Sequence, residues 1–266
     1  FEDENKILVG QNIKYDYQVL KNYNVIIRNK FWDTMVAHFL IQPDMRHNMN
    51  VLSETYLNYE PVSIETLIGK KGKNQTSMRD APIEQIKDYA AEDADVTIQL
   101  KDIFVPKLKE TQTEKLFLEV EVPLIKVLAD MEREGINLDV KNLRDFSVQL
   151  AEDITKVDAE IQELAGTKFN ISSPKQVGEI LFEYLKIVDN PKKTKTGQYA
   201  TSEDILAKLE GKHPIIAKIL DYRELVKLKS TYVDALPDMV SKITKRLHTS
   251  FNQVVAVTGR LSSDNP

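Results

Sequence analysis

The sequence predicts a mixed α/β first part joined to a mainly α-helical second part that carries a long helix pair. Short β-branched runs alternate with helical periods over residues 1–108, as in Ile7-Leu8-Val9 and Val25-Ile26-Ile27. From Val140 the apolar positions Leu143, Phe146, Leu150, Ile154, Val157, Ile161 and Leu164 recur in steps of three and four, the stripe of a long amphipathic helix. Charge divides the chain as well. Residues 191–266 hold 13 Lys/Arg against 8 Asp/Glu, a net of +5, so the remainder carries −10 within an overall −5.

Taken in order, Ile7-Leu8-Val9 reads as a strand that runs through Gly10-Gln11 into a helix start. Val25-Ile26-Ile27 reads as the next strand, and a helix starts at Asp33. Met49 to Tyr56 is helical. Asp80 is expected to cap, with Pro82 in its first turn, the helix that carries Asp88-Tyr89-Ala90-Ala91-Glu92-Asp93, and Pro106 is expected to close it. Pro123 opens a helix over residues 120–134 that Gly135 ends, and Gly166 ends the helix from Val140. These two are expected to pair as a coiled-coil-like stalk with a basic tip. A domain boundary is expected between Lys109 and Glu119, giving parts 1–112 and 113–266. Ser173 with Gln176, and Thr201 with Asp204, have the spacing of capping boxes. Pro214 opens a helix with Arg223 and Lys227 on one face, and His248 to Arg260 turns from polar to β-branched, a strand signature.

Composition excludes several kinds of chemistry. With no cysteine there are no disulfides, thiolate nucleophiles or zinc–thiolate sites, which fits a reducing cytosol. No apolar run reaches the length of a membrane span. The chain begins with Phe1 rather than Met and stops at Pro266, so it is expected to be an excised piece.

Two four-spaced pairs carry the candidate chemistry. Tyr89 and Asp93 share a helix face, and so do Asn12 and Asp16. A carboxylate can hold a hard cation, and a phenol beside it can orient the water that the cation activates. A solvated acidic helix turn gives the same spacing. In the second part, helix starts at Ser173 and Thr201 flank the lysines of Lys192-Lys193-Thr194-Lys195, an arrangement able to clamp a phosphate backbone or simply to cap helices.

The ordered set of words resembles a known family. Val9-Gly10-Gln11-Asn12-Ile13-Lys14-Tyr15-Asp16 and Tyr89-Ala90-Ala91-Glu92-Asp93-Ala94-Asp95-Val96-Thr97 look like the second and third motifs of the proofreading exonuclease in the family A DNA polymerases of bacterial DNA polymerase I type. Phe31-Trp32-Asp33-Thr34-Met35, Arg46-His47 and Gly69-Lys70-Lys71-Gly72-Lys73-Asn74-Gln75 match between them. Asn170-Ile171-Ser172-Ser173, Tyr222-Arg223, Lys227-Leu228-Lys229-Ser230-Thr231-Tyr232 and Thr258-Gly259-Arg260-Leu261-Ser262-Ser263 resemble that family's thumb and the first strand of its palm.

The resemblance implies a partial ribonuclease H-like 3′–5′ exonuclease domain followed by a mainly α-helical polymerase thumb. It implies two divalent cations, Mg²⁺ with Mn²⁺ as substitute. Asp93 would help ligate the first, Tyr89 would orient the water, Asp16 would reach the second through bound water, and Asn12 would help fix the arrangement. Asn170, Ser173, Lys192, Lys193, Thr201, Arg223, Lys227 and Arg260 become candidate contacts to primer-template DNA. The implied partners are that duplex, a single-stranded 3′ end and, for the parent, deoxynucleoside triphosphates, with a monomer in the bacterial cytoplasm at the nucleoid.

The family's main metal ligands come from an Asp-x-Glu pair on a strand. Here Asp130-Met131-Glu132 and Asp158-Ala159-Glu160 both lie in helical patterns, where residues two apart diverge, so neither can substitute. The isolated chain is therefore expected to be inactive in both reactions. Ile64 stands where some relatives carry an aromatic that packs on a frayed primer end, which implies a weaker contact. Two other readings are open: a ribonuclease D-like exoribonuclease sharing both pairs, and a non-enzymatic helical scaffold.

Overall fold

Ile7–Gly10 is extended as strand β1 in the computed structural model, which describes residues 2–264. After a left-handed residue at Asn12 the chain enters helix α1 (Ile13–Asn22). The second strand, β2, is Lys30–Asp33 and pairs parallel with β1 in the register Ile7↔Lys30 to Gly10↔Asp33. It lies past Val25-Ile26-Ile27, which form no strand. Phe31 and Trp32 are both buried, the double burial that a parallel strand demands, whereas Ile26 is exposed.

Asp33 caps α2 (Thr34–Ile41), and Asn48 caps α3 (Met49–Leu57) by accepting from the Val51 amide at 3.0 Å. After the short α4 (Glu65–Ile68), Ser77 and Asp80 close a capping box on a 3₁₀ turn. Asp80 therefore does not cap the long helix α5 (Ile83–Glu110), which begins after Pro82. Pro106 lies inside α5 rather than ending it. A helix interior normally loses about 3 kcal/mol or more to a proline, and here Phe104 and Leu108 stay fully buried on either side and hold the turn in place. The short α6 (Glu114–Leu116) widens at 117–121 and continues as α7 (Val122–Glu134), which ends at Gly135 with φ 70°.

Helix α8 (Val140–Ala165) starts at the Asp139 cap and stops at Gly166, with φ 68°. It is followed by α9 (Pro174–Glu179), α10 (Glu203–Ala207), α11 (Pro214–Lys227) and α12 (Ala235–Asp238). The chain closes with β3 (Ser250–Asn252) and β4 (Ser262–Asp264), paired antiparallel. Only this part of the 248–260 segment is extended. Residues between the strands turn instead, and Gln253 donates to the Glu121 carboxylate at 2.7 Å.

Packing groups Phe1–Gly135 with His248–Pro266 as one unit and Ile136–Leu247 as the other. In the first, α1, α2, α3, α5 and α7 bury Ile13, Phe31, Trp32, Leu52, Leu100, Phe104 and Phe117 in one core. In the second, Ile161, Val177, Leu181, Leu206, Ile215 and Ile219 form the core. The helix pair there is α8 with α11. Helix α7 belongs to the first unit, and in place of the expected α7–α8 stalk the second unit pairs α8 (Val140–Ala165) with α11, which starts at Pro214. Amphipathic stripes do not name their partners. No helix among the described residues is long and apolar enough to cross a membrane.

Two histidines lie inside the first core. His38 Nδ1 faces His47 Nδ1 at 2.7 Å, and His38 Nε2 meets the Tyr56 hydroxyl at 3.0 Å. One proton serves the Nδ1 pair. Burial, and then the neighbouring His47, push the His38 pKa down to about 4, and burial lowers His47 as well. A group depressed in the fold contributes stability that is present above its unfolded pKa, about 6.5, and is lost as pH falls through the folded value. Between pH 7 and 4 the loss from His38 is expected to be on the order of 2–3 kcal/mol. Urea midpoints measured across that range should fall steeply, and the fall should shrink in His38→Phe. An equal fall in both proteins would refute the assignment.

Candidate metal and nucleic-acid sites

Asn12 and Asp16 lie at the start and in the first turns of α1, both exposed. Asn12 has φ 58° and ψ 48°, and its side chain makes no cap to its own helix. Asp16 lines a cavity of about 370 Å³ whose other walls include Leu8, Val9, Ile13, Tyr17 and Phe31. Although Asp16 is exposed overall, partial desolvation of its carboxylate beside that apolar lining raises its pKa, with a backbone hydrogen bond opposing.

Tyr89 and Asp93 stand one turn apart on α5, half-buried and within hydrogen-bonding reach of each other. Burial, then the charge of Asp93, raises the Tyr89 phenol to about 12, so it remains a proton donor at every working pH. Burial also raises the Asp93 pKa, with Tyr89 pulling it down and Glu92 pushing it up. Glu92, next to Asp93, accepts from the Tyr59 hydroxyl and from the Val62 amide at 2.8 Å, tying the 59–62 segment to α5. Ile64, just beyond, is exposed.

Helices α1 and α5 share one core, through Ile13 and Tyr17 on one side and Val96 and Leu100 on the other. The two carboxylates nonetheless have separate neighbours, and Asp93 is not among the residues lining the Asp16 cavity. Among the described residues no group of three or more His, Cys, Asp or Glu side chains could hold a metal ion. Hard divalent cations require about six oxygen ligands. Asp16 and Asp93 alone do not supply such a set, so a complete two-metal centre would need further oxygen ligands beside them. The Asp-x-Glu triplets diverge as helices require: Asp130 turns to Lys21 while Glu132 is buried against Lys14, and Glu160 pairs with Lys218.

The second unit has a groove of about 630 Å³ lined by Ser172, Thr194, Tyr199, Thr201, Arg223 and Lys227, among others. Lys192, Lys193 and Lys227 are exposed. Lys193 bridges to Tyr199 along the backbone and lays its ammonium 5.0 Å from that ring's centre, so the lysine loop is an ordered hairpin turn. The capping chemistry differs from its spacing. Ser173 accepts from the Gln176 amide at 3.4 Å, but the Gln176 side chain returns to the Asn170 amide at 2.7 Å rather than to Ser173. Asn170 in turn accepts from the Ser172 amide at 3.0 Å. Thr201 caps nothing: Ser202 stands at the start of α10, and Thr201 is buried, receiving both guanidinium nitrogens of Arg223 on its carbonyl and hydroxyl. Arg223 is consequently engaged inside the unit, while the lysines are open to solvent. Arg260 is exposed in the turn before β4.

Two residues escaped the sequence reading. Asp33 is fully buried and accepts backbone hydrogen bonds from two helices, and Glu132 accepts from three partners. Asp33 was visible as a helix start and as part of the word Phe31-Trp32-Asp33-Thr34-Met35, and Glu132 as a misplaced Asp-x-Glu member. Neither signal contained the distant partner.

Compared with known proteins, the sequence matches the family described as DNA polymerase family A over residues 140–266 and that described as 3′–5′ exonuclease over residues 1–109. The DNA polymerase I of Rhizobium leguminosarum is 41% identical across 100% of this chain, which corresponds to 26% of that protein. The DNA polymerase I of Synechocystis sp. is 44% identical over 97% of this chain and 26% of its own length. The chain thus spans about a quarter of the length of these relatives. Among solved structures, the POL domain of Pol1 from M. smegmatis in complex with DNA primer-template and dNTP superposes with a TM-score of 0.78 at 28% identity. It covers 97% of this chain and 41% of the other.

Proposed function

The chain belongs to the bacterial DNA polymerase I family, joining part of a 3′–5′ exonuclease domain to part of a family A polymerase domain, and from that premise we propose that it serves template-directed DNA synthesis with 3′–5′ proofreading. The observation that carries this reading is the succession of the two domain matches along one chain, over residues 1–109 and then 140–266. The second match disfavours a ribonuclease D-like enzyme, which would share only the first part, and a scaffold would call for neither.

In this reading the partners are primer-template DNA, a single-stranded 3′ end and deoxynucleoside triphosphates. The divalent ion is Mg²⁺, with Mn²⁺ able to replace it, because the candidate ligands are carboxylate oxygens. Asp93 and Asp16 contribute to holding it, Tyr89 orients water as a permanent donor, and Asn12 supplies a carboxamide beside Asp16. The protein works as a monomer in the bacterial cytoplasm, at the nucleoid. Lys192, Lys193, Lys227 and Arg260 meet phosphates. Asn170 and Ser173 shape the start of α9, and Thr201 with Arg223 braces the groove floor, so these contribute by placement as much as by contact. Such contacts position a duplex without reading its sequence, as a copying enzyme requires.

Binding of the chain to primer-template DNA, measured against salt, tests the proposal. Affinity should fall steeply with salt, and the combined change Lys192→Gln, Lys193→Gln and Lys227→Gln should reduce the log–log slope by about one for each lysine. In the same mixture with Mg²⁺, the chain should release no nucleotides from single-stranded DNA, for want of a complete ligand set. Absence of binding at low salt would refute the reading.

A further inference from the structure

Asp33 ends β2, opposite Gly10 in the parallel pair, and is 1% exposed. Its Oδ1 accepts from the amides of Met35 at 2.8 Å and Val36 at 3.0 Å, as a residue capping its own helix does. Its Oδ2 accepts from the amide of Ile13 at 2.7 Å, the first residue of α1 and 20 positions earlier in the chain. The Asn12 backbone also donates to this carboxylate. One side chain therefore satisfies the starts of two helices.

Asn12 occupies the position from which a side chain would ordinarily cap α1. A cap is delivered from an extended backbone, and Asn12 is left-handed, so its carboxamide makes no such bond. The turn before it is tight as well: a Cβ on Gly10 would sit 2.9 Å from the Ile13 Cβ. With α1 capped from outside, the Asn12 carboxamide is left exposed, on the helix that carries Asp16.

We propose that Asp33 is a positioning residue of the candidate exonuclease site, holding the 10–13 turn in the conformation that releases the Asn12 carboxamide and setting the start of the helix that bears Asp16. The use made of Asn12 and Asp16 rests on the proposed function, whereas the double cap stands on geometry alone. A carboxylate has two acceptor oxygens, and a carboxamide has one acceptor and a donor face. Asp33→Asn can thus cap one helix only. The local cap of α2 involves the shorter loop and is retained, and α1 loses its partner.

The test is residue-resolved NMR and amide exchange on the chain without DNA or metal, so its outcome is independent of whether the chain binds primer-template. In Asp33→Asn, exchange at Ile13 should rise at least tenfold while Val36 stays protected within a few-fold. The carbon shifts of Asn12 should move from left-handed to extended as it turns back to cap its own helix. Unchanged Asn12 shifts, or Ile13 and Val36 exchanging faster together, would overturn the proposal. Should Asp33→Asn not fold, Asn12→Gly decides. Glycine accepts the left-handed turn, and Ile13 should keep its protection because Asp33 still caps it. A tenfold loss at Ile13 there would mean that the Asn12 side chain was needed, and would equally overturn the assignment.

Discussion

Replacing Glu132 by alanine is expected to cost the first unit roughly 3–5 kcal/mol, the loss seen when one partner of a buried ion pair is removed. Glu132 is 7% exposed on α7. It accepts from the Lys14 ammonium at 2.5 Å, from the Gln18 side chain and from the Phe251 amide at 2.7 Å. Lys14 also donates to the Phe251 carbonyl, and His248 Nδ1 lies 2.8 Å from the Glu132 carbonyl. One carboxylate therefore joins α1, α7 and β3. Removing it strands a desolvated ammonium and a backbone N–H together, and unmet partners of this kind are costly. Chemical unfolding followed in the first unit should show the loss, with exchange at the Phe251 amide rising first. Glu132→Gln should fall between, since its amide oxygen retains one acceptor but no charge. A cost below about 1 kcal/mol for the alanine variant would mean the pair behaves as a surface bridge, and the account would fail.

Phe104→Ala should cost a similar amount, about 3–5 kcal/mol, through lost burial plus an unfilled cavity. Phe104 is fully buried in the last third of α5, with its ring edge-on to Tyr56 at 5.0 Å and tilted on His38 at 5.4 Å. The cavity would open beside the histidine pair. Two results are therefore expected from one variant: a lowered unfolding midpoint at pH 7, and a shallower decline toward pH 4 as water reaches His38. Phe104→Leu should recover more than half of the stability at pH 7. A Phe104→Ala midpoint within error of the parent would show that the core closes around the gap.

The two variants probe different ranges of the same unit. Phe104 belongs to an apolar period that any helical reading of 83–110 places inside. Glu132 belongs to no such pattern, because a charged residue on an amphipathic helix is expected outside. Its burial follows from Lys14 and Phe251, which lie more than a hundred positions away in opposite directions along the chain.

What the sequence by itself determined was local. The strand at 7–10, the helix from 140 closed by Gly166, the stop at Gly135 and the one-turn spacing of Tyr89 and Asp93 all follow from side chains within a turn or two of one another, whereas Asn12, expected to share a helix face with Asp16, stands left-handed just before α1. Family membership was legible for the same reason, since its words are short and contiguous. Tertiary structure decided which elements meet. It placed the second strand at 30–33 because Phe31 and Trp32 both need cover, and it gave α8 the partner α11. It turned Thr201 from a cap into a buried acceptor for Arg223, and it gave Asp33 a second helix to hold. Caps and periods are short-range and repeat in composition-like patterns, whereas a buried polar group is fixed by whichever distant donor satisfies it, and that donor has no signature at the acceptor's own position.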